Sequence, residues 1–175
     1  IDKQSGRKKW EYRGGKIINT TIAIGDGRVY FVESNSSSIR NEPTSRIDSS
    51  SLWSSLRLVA LNRQTGAKIW SKSITVNKSP YPVVFFLAQA KNRLILSYTT
   101  SRYYVDAFST GNGSKVWSKN HSWNRNHHGG HMYHPVIVNN AVIVEPYGYS
   151  LTNVSTVHRG LPQRGRCSTI SASHN

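Results

Sequence analysis

Short runs rich in Val, Ile, Leu, Phe and Tyr recur along the chain, separated by polar turns. Residues 16–24 and 28–33 flank Gly25-Asp26-Gly27, which is the pattern of a β-hairpin. Residues 34–55 break the alternation with S-N-S-S-S and D-S-S-S. Such a stretch buries too little apolar surface to order itself and reads as a surface loop inserted between strands. Strands resume over 56–61 and, after a turn at Gly66, over 68–73. The next group is more regular: 83–89, a turn at Lys91-Asn92, 94–100, a turn near Ser101, 103–108 and 115–119. A further group opens with 136–138, turns at Asn139-Asn140 and continues through 141–145 and 147–151. No stretch carries a helical period, so the pattern predicts an all-β chain.

The groups are copies of one another. Residues 60–72, A-L-N-R-Q-T-G-A-K-I-W-S-K, align without a gap on 107–119, A-F-S-T-G-N-G-S-K-V-W-S-K, and Ile1 to Trp10 supplies a third copy in the same register. The shared positions are Gly6, Gly66 and Gly113, each followed by Trp10, Trp70 and Trp117. A glycine after Ser, Thr or Asn suits a tight turn that needs φ > 0. An indole at a fixed offset from each turn is the expected wedge between adjacent sheets, where its large area stabilises the contact. A fourth copy is degenerate, with Val154 in the glycine position and His158 in the tryptophan position.

The pattern resembles A-x-D-x-x-T-G-x-x-x-W, the tryptophan-docking motif of quinoprotein-like (pyrroloquinoline quinone, PQQ) β-propeller repeats. The Asp position here reads Asp2, Asn62 and Ser109, and the Thr position reads Ser5, Thr65 and Asn112. The resemblance implies four-stranded antiparallel blades, with the motif turning from the third strand to the fourth. It places the end of a blade in 1–15, a blade with the 34–55 insertion in 16–75, another in 82–120, the degenerate blade in 134–160 and the start of a next one in 168–175. Three to four blades leave a propeller open, and the chain begins inside a motif copy, so a fragment of a larger ring is expected.

Composition adds little to the fold and more to the choice of partner. The formal net charge is +15, which would concentrate a polyanion at the surface. The basic residues are scattered rather than gathered in a stripe, which argues against a dedicated nucleic-acid footprint. No apolar run approaches the roughly 18 residues of a membrane-spanning helix. Cys167 is the sole cysteine, so no internal disulfide forms. N-x-S/T sequons at Asn19, Asn35, Asn77, Asn112, Asn120 and Asn153 accord with an extracytoplasmic location, periplasmic or secreted.

The segment H-S-W-N-R-N-H-H-G-G-H-M-Y-H, residues 121–134, holds five of the seven histidines. On the blade assignment it crosses one face of a propeller toward the axis, with His131 and His134 innermost. His127, His128, His131 and His134 are the candidate ligands for zinc or copper, since neutral imidazole suits both. Gly129-Gly130 and the lack of a framed Glu exclude the zincin helix motif. The alternative reading is a loop whose imidazoles bond backbone or stack on Trp123 and Tyr133.

The resemblance also raises PQQ with calcium, which demands several oxygen ligands, usually including carboxylates. Beyond Asp48 the acids are Asp106, expected at a strand end, and Glu145, the better candidate base; no Cys-Cys pair accompanies them, and no catalytic residue is assigned. Cys167, among Arg159, Arg164 and Arg166, is either a reactive thiol or a small buried one. Three functions follow as expectations. The first is an extracytoplasmic binding module for a protein or small ligand at the propeller face, with a histidine metal site. The second is part of a PQQ-type oxidoreductase, and the third is an interaction scaffold resembling the outer-membrane barrel-assembly propeller.

Overall fold

Gly66 and Gly113 do what their neighbours in sequence ask of them, turning the chain at φ +73° and +71° between paired strands. The computed structural model describes residues 1–43, 50–78, 82, 84–122, 134–144, 147–153 and 155–159, with 158 and 159 by backbone alone. Two compact units divide the chain, Ile1–Val76 and Asn77–Asn175.

In the first unit β1 (Lys16–Ile17) and β2 (Ala23–Gly25) both pair antiparallel with β3 (Arg28–Ser34), which continues to β4 (Leu56–Asn62) and β5 (Lys68–Ser73). The single strand expected over 16–24 is therefore two strands. A 3-10 turn at Asn19–Thr21 interrupts it, and the buried Thr21 side chain fills the gap in the ladder. Its hydroxyl accepts the Val32 N–H at 2.8 Å and donates to the Ile18 carbonyl at 2.6 Å. Thr21→Val should then strand a buried N–H and cost about 1–3 kcal/mol in urea unfolding, with Thr21→Ser retaining most of the stability.

The 34–55 insertion is more ordered than its composition suggests. Short helical turns form at Ser37–Arg40 and Ser50–Trp53, because Ile39 buries its side chain to 2% exposure and anchors the first of them. Residues 44–49 lie outside the described part. On one face of this sheet Phe31, Val59 and Leu61 form a core completed by Trp10 and Tyr12 from the opening segment, with the Tyr12 ring edge-on to Phe31 at 5.1 Å.

The second unit holds two four-stranded antiparallel sheets. One runs β6 (Val84–Ala90), β7 (Arg93–Thr99), β8 (Arg102–Ser109) and β9 (Lys115–Ser122); the other runs β10 (Val136–Val138), β11 (Ala141–Val144), β12 (Tyr147–Ser150) and β13 (Thr156–Arg159). Alternate residues of the first sheet, Ile95, Tyr103, Val105, Ala107 and Trp117, share a core with Val142, Val144, Tyr149 and Leu151 of the second. Period-two alternation brings these onto one face, and burying both faces removes most of their apolar surface from water.

A common irregularity marks all three sheets. The ladder runs in register at Ala60↔Trp70, Ala107↔Trp117 and Gly148↔His158, then slips, so that Ile69, Val116 and Val157 are the extra residues of a β-bulge. All three extra residues are left exposed. The preceding turns also match, with Asp2, Asn62, Ser109 and Ser150 each donating a backbone N–H to the carbonyl five residues on. Asp2 and Asn62 cap their turns with a side-chain oxygen that accepts two backbone N–H groups.

Candidate functional site

Two of the motif indoles reach a backbone carbonyl. Trp10 Nε1 donates to the Arg63 carbonyl at 2.9 Å, and Trp117 Nε1 reaches the Leu151 carbonyl at 3.4 Å. Arg63 stands three residues before Gly66, and Leu151 three before Val154, so the degenerate copy accepts its indole at the equivalent place. Trp70 is half-buried, with its ring 6.1 Å from that of Tyr30. Gly6 turns at φ +67° like its counterparts.

Beyond Trp117, alternation along β9 carries Lys119 and His121 on the same face, toward β12. His121 is 8% exposed. Its ring stacks on Tyr103 at 5.0 Å and meets Tyr147 edge-on at 4.7 Å, and its Nδ1 lies 3.1 Å from the Tyr149 hydroxyl. Lys119, Asn120, His121, Tyr147, Tyr149 and Thr156 line a pocket of about 340 Å³ beside this cluster. Burial, with Tyr147 alongside, pushes the Tyr149 phenol up to about 12. A hydroxyl that holds its proton serves His121 as donor or acceptor, whichever imidazole nitrogen is protonated.

Two further phenols move the same way. Burial and then the bond to Glu33 raise Tyr12 to about 12, and burial followed by the Asp106 charge raises Tyr98. A raised folded value means the stabilisation is complete below the unfolded phenol value near pH 10 and is lost as pH climbs through about 12. Alkaline titration followed by ultraviolet phenolate absorbance should show these tyrosines ionising late and together with unfolding. Tyr149→Phe should lessen that high-pH loss.

The residues singled out in the sequence are placed unevenly. His127, His128 and His131 lie outside the described residues, as do Glu145, Arg164, Arg166 and Cys167. His134 is described and exposed, its ring 5.0 Å from Phe86. Asp106 corrects an expectation: it sits within β8 rather than at a strand end, and is 2% exposed. The Ser118 hydroxyl donates to one of its oxygens at 2.5 Å and Lys115 Nζ sits 2.9 Å from the other. A buried carboxylate partnered twice in this way offers no open coordination to calcium. Among the described residues no three His, Cys, Asp or Glu side chains converge, so the donors that PQQ and calcium require are not assembled there. The Tyr103, His121, Tyr147 and Tyr149 cluster was missed in the sequence: a period of two puts Tyr147 with Tyr149, and Trp117 with His121, on one face of a strand, and does not say which strands face each other.

No family model and no curated protein matches the chain. Solved structures do. BamB from Moraxella catarrhalis superposes with a TM-score of 0.55 at 13% identity, covering 85% of this chain and 39% of that one. A europium-containing methanol dehydrogenase superposes with a TM-score of 0.43 at 13% identity, covering 64% of this chain and 19% of that one. The first likeness, with the three antiparallel sheets, defines the fold as that of a partial β-propeller of the PQQ-like type. The chain spans about two fifths of the BamB chain. Among the described residues no helix is long and apolar enough to cross a membrane.

Proposed function

We propose that this chain is a binding module, its sheets forming successive blades of an incomplete PQQ-like propeller over the ranges assigned from the repeats. It works outside the cytoplasm, and it engages a protein partner or small ligand at the propeller face. The observation that carries the reading is the His121 pocket, which opens where β9 of one sheet packs against β12 of the other. Asp106, by contrast, is already committed to Lys115 and Ser118, so the described acid supports structure rather than turnover. A tagged chain expressed in its own host should fractionate outside the cytoplasm and retain a stoichiometric partner after cross-linking. Residence in the cytoplasm without any partner would overturn the reading.

The imidazole-rich stretch belongs to the same proposal, with His127, His128, His131 and His134 as ligands for zinc or copper. Titration of the metal-free chain with either ion should give saturable uptake that is lost in His131→Ala and His134→Ala. A chain that takes up neither ion removes the metal from the proposal and leaves the module.

A further inference from the structure

We infer that the first unit binds a hydroxylated carboxylate of the sugar-acid kind in a pocket built around Arg57. This pocket, of about 420 Å³, lies wholly within the first unit and shares no residue with the one beside His121. Its volume falls within the roughly 300–1,000 Å³ of small-molecule sites. Asn35, Ser54, Ser55, Arg57, Ser73 and Thr75 give it a polar lining, and no acid is among the lining residues.

Register brings these side chains together. Arg57 pairs with Glu33 on one side and Ser73 on the other, so all three share the sheet face that Phe31 and Val59 also carry. Asn35, Ser55 and Thr75 lie two residues further along the three strands, where the Asn35 N–H still donates to the Ser55 carbonyl. The 34–55 insertion leaves and rejoins the sheet at this end, whereas only Thr100 and Ser101 separate β7 from β8 in the second unit. The repeat does not demand the cation either, since the aligned copies put Tyr104 where Arg57 stands.

Arg57 is the group that asks for a ligand. It is half-buried, its Nε is buried without an acceptor, and among the described residues its guanidinium makes no hydrogen bond and no ion pair. A buried donor left unmatched is destabilising, and folded chains seldom keep one. The carboxylate across the ladder does not answer it. Glu33 is 3% exposed; one oxygen accepts from the Tyr12 hydroxyl at 3.0 Å and the Gly15 N–H at 2.8 Å, and the other from Asn35 Nδ2 at 3.4 Å. Arg40 adds a second positive charge within electrostatic reach of Tyr12. A guanidinium forks onto a planar carboxylate with two parallel hydrogen bonds. The hydroxyls of Ser55, Ser73 and Thr75 can each donate and accept, which matches the hydroxyls of a sugar better than a bare anion or an apolar body.

Isothermal titration of the whole chain with D-glucuronate tests the site, with glucose and acetate standing for the two halves of that probe. Glucuronate should saturate. Glucose, which lacks the charge, and acetate, which lacks the ring hydroxyls, should each bind at least about tenfold more weakly. Arg57→Met should weaken glucuronate about 10–100-fold, and Arg57→Lys nearly as much, because an ammonium cannot fork. Arg63→Met, which removes an exposed arginine outside the pocket, should leave binding unchanged. Ser73→Ala should weaken glucuronate and leave acetate as it was. Arg57 has no partner to lose, so Arg57→Met should unfold no earlier than the wild type, and the exposed Ser73 keeps the test decisive should that variant fail to fold. The idea fails if glucuronate does not saturate, if acetate or glucose binds as well, or if Arg57→Met or Ser73→Ala binds glucuronate like the wild type. It fails too if Arg63→Met weakens binding as much as Arg57→Met, the mark of diffuse attraction to a +15 chain.

Discussion

Replacing Trp117 by alanine is expected to cost about 3–5 kcal/mol, the largest loss from any single truncation in the second unit. The indole is 8% exposed and its ring lies 6.2 Å from that of Tyr149, in a core that also draws on Val105, Val142, Val144 and Leu151. Alanine would open a void between the two sheets. Typical domains hold only about 5–15 kcal/mol in total, so the variant should shift the urea midpoint strongly. Trp117→Phe keeps a ring but gives up the Nε1 bond to Leu151, and about 1–2 kcal/mol should go with it. Equal midpoints for the wild type and Trp117→Ala would show that the indole is not a wedge.

Gly66→Ala is the second large effect, and it has two causes that can be separated. The glycine turns at φ +73°, a region that costs an L-residue about 1–2 kcal/mol. A Cβ built there also falls 2.6 Å from Cδ2 of Trp10, closer than any real contact allows, so the docked indole must move. Gly27 turns at φ +70° with nothing within 4 Å, so Gly27→Ala carries the backbone cost alone. The expected order is therefore a loss of about 1 kcal/mol for Gly27→Ala and at least about 3 kcal/mol for Gly66→Ala, by thermal or urea unfolding. If the two variants unfold together, Trp10 does not dock on Gly66.

The repeat was legible because its chemistry is local. A glycine that must turn left-handed and an indole at fixed distance from it show in the letters, and the offset alone put His158 opposite the right strand position, where Gly148 pairs with it. Two things were not legible. The break at Asn19–Thr21 depends on a hydroxyl taking the place of a backbone group on β3, a contact between residues far apart in sequence. The His121 cluster depends on which strands face each other, since Tyr103, Tyr147 and Tyr149 become neighbours only after two sheets pack. Asp106 was misjudged for the same reason: its nearness to a motif copy suggested an end, while pairing with Leu96 and Ser118 puts it mid-ladder.

The bulge shared by the three sheets has a bearing on ancestry. Because the backbone irregularity persists where glycine and indole have been replaced by Val154 and His158, the ladder geometry outlasts the side chains that first announced it. A gene that lengthens by duplicating one such segment would deliver a sheet already shaped to receive its neighbour. Later drift could then remodel the connecting segments for new ligands without redrawing the scaffold.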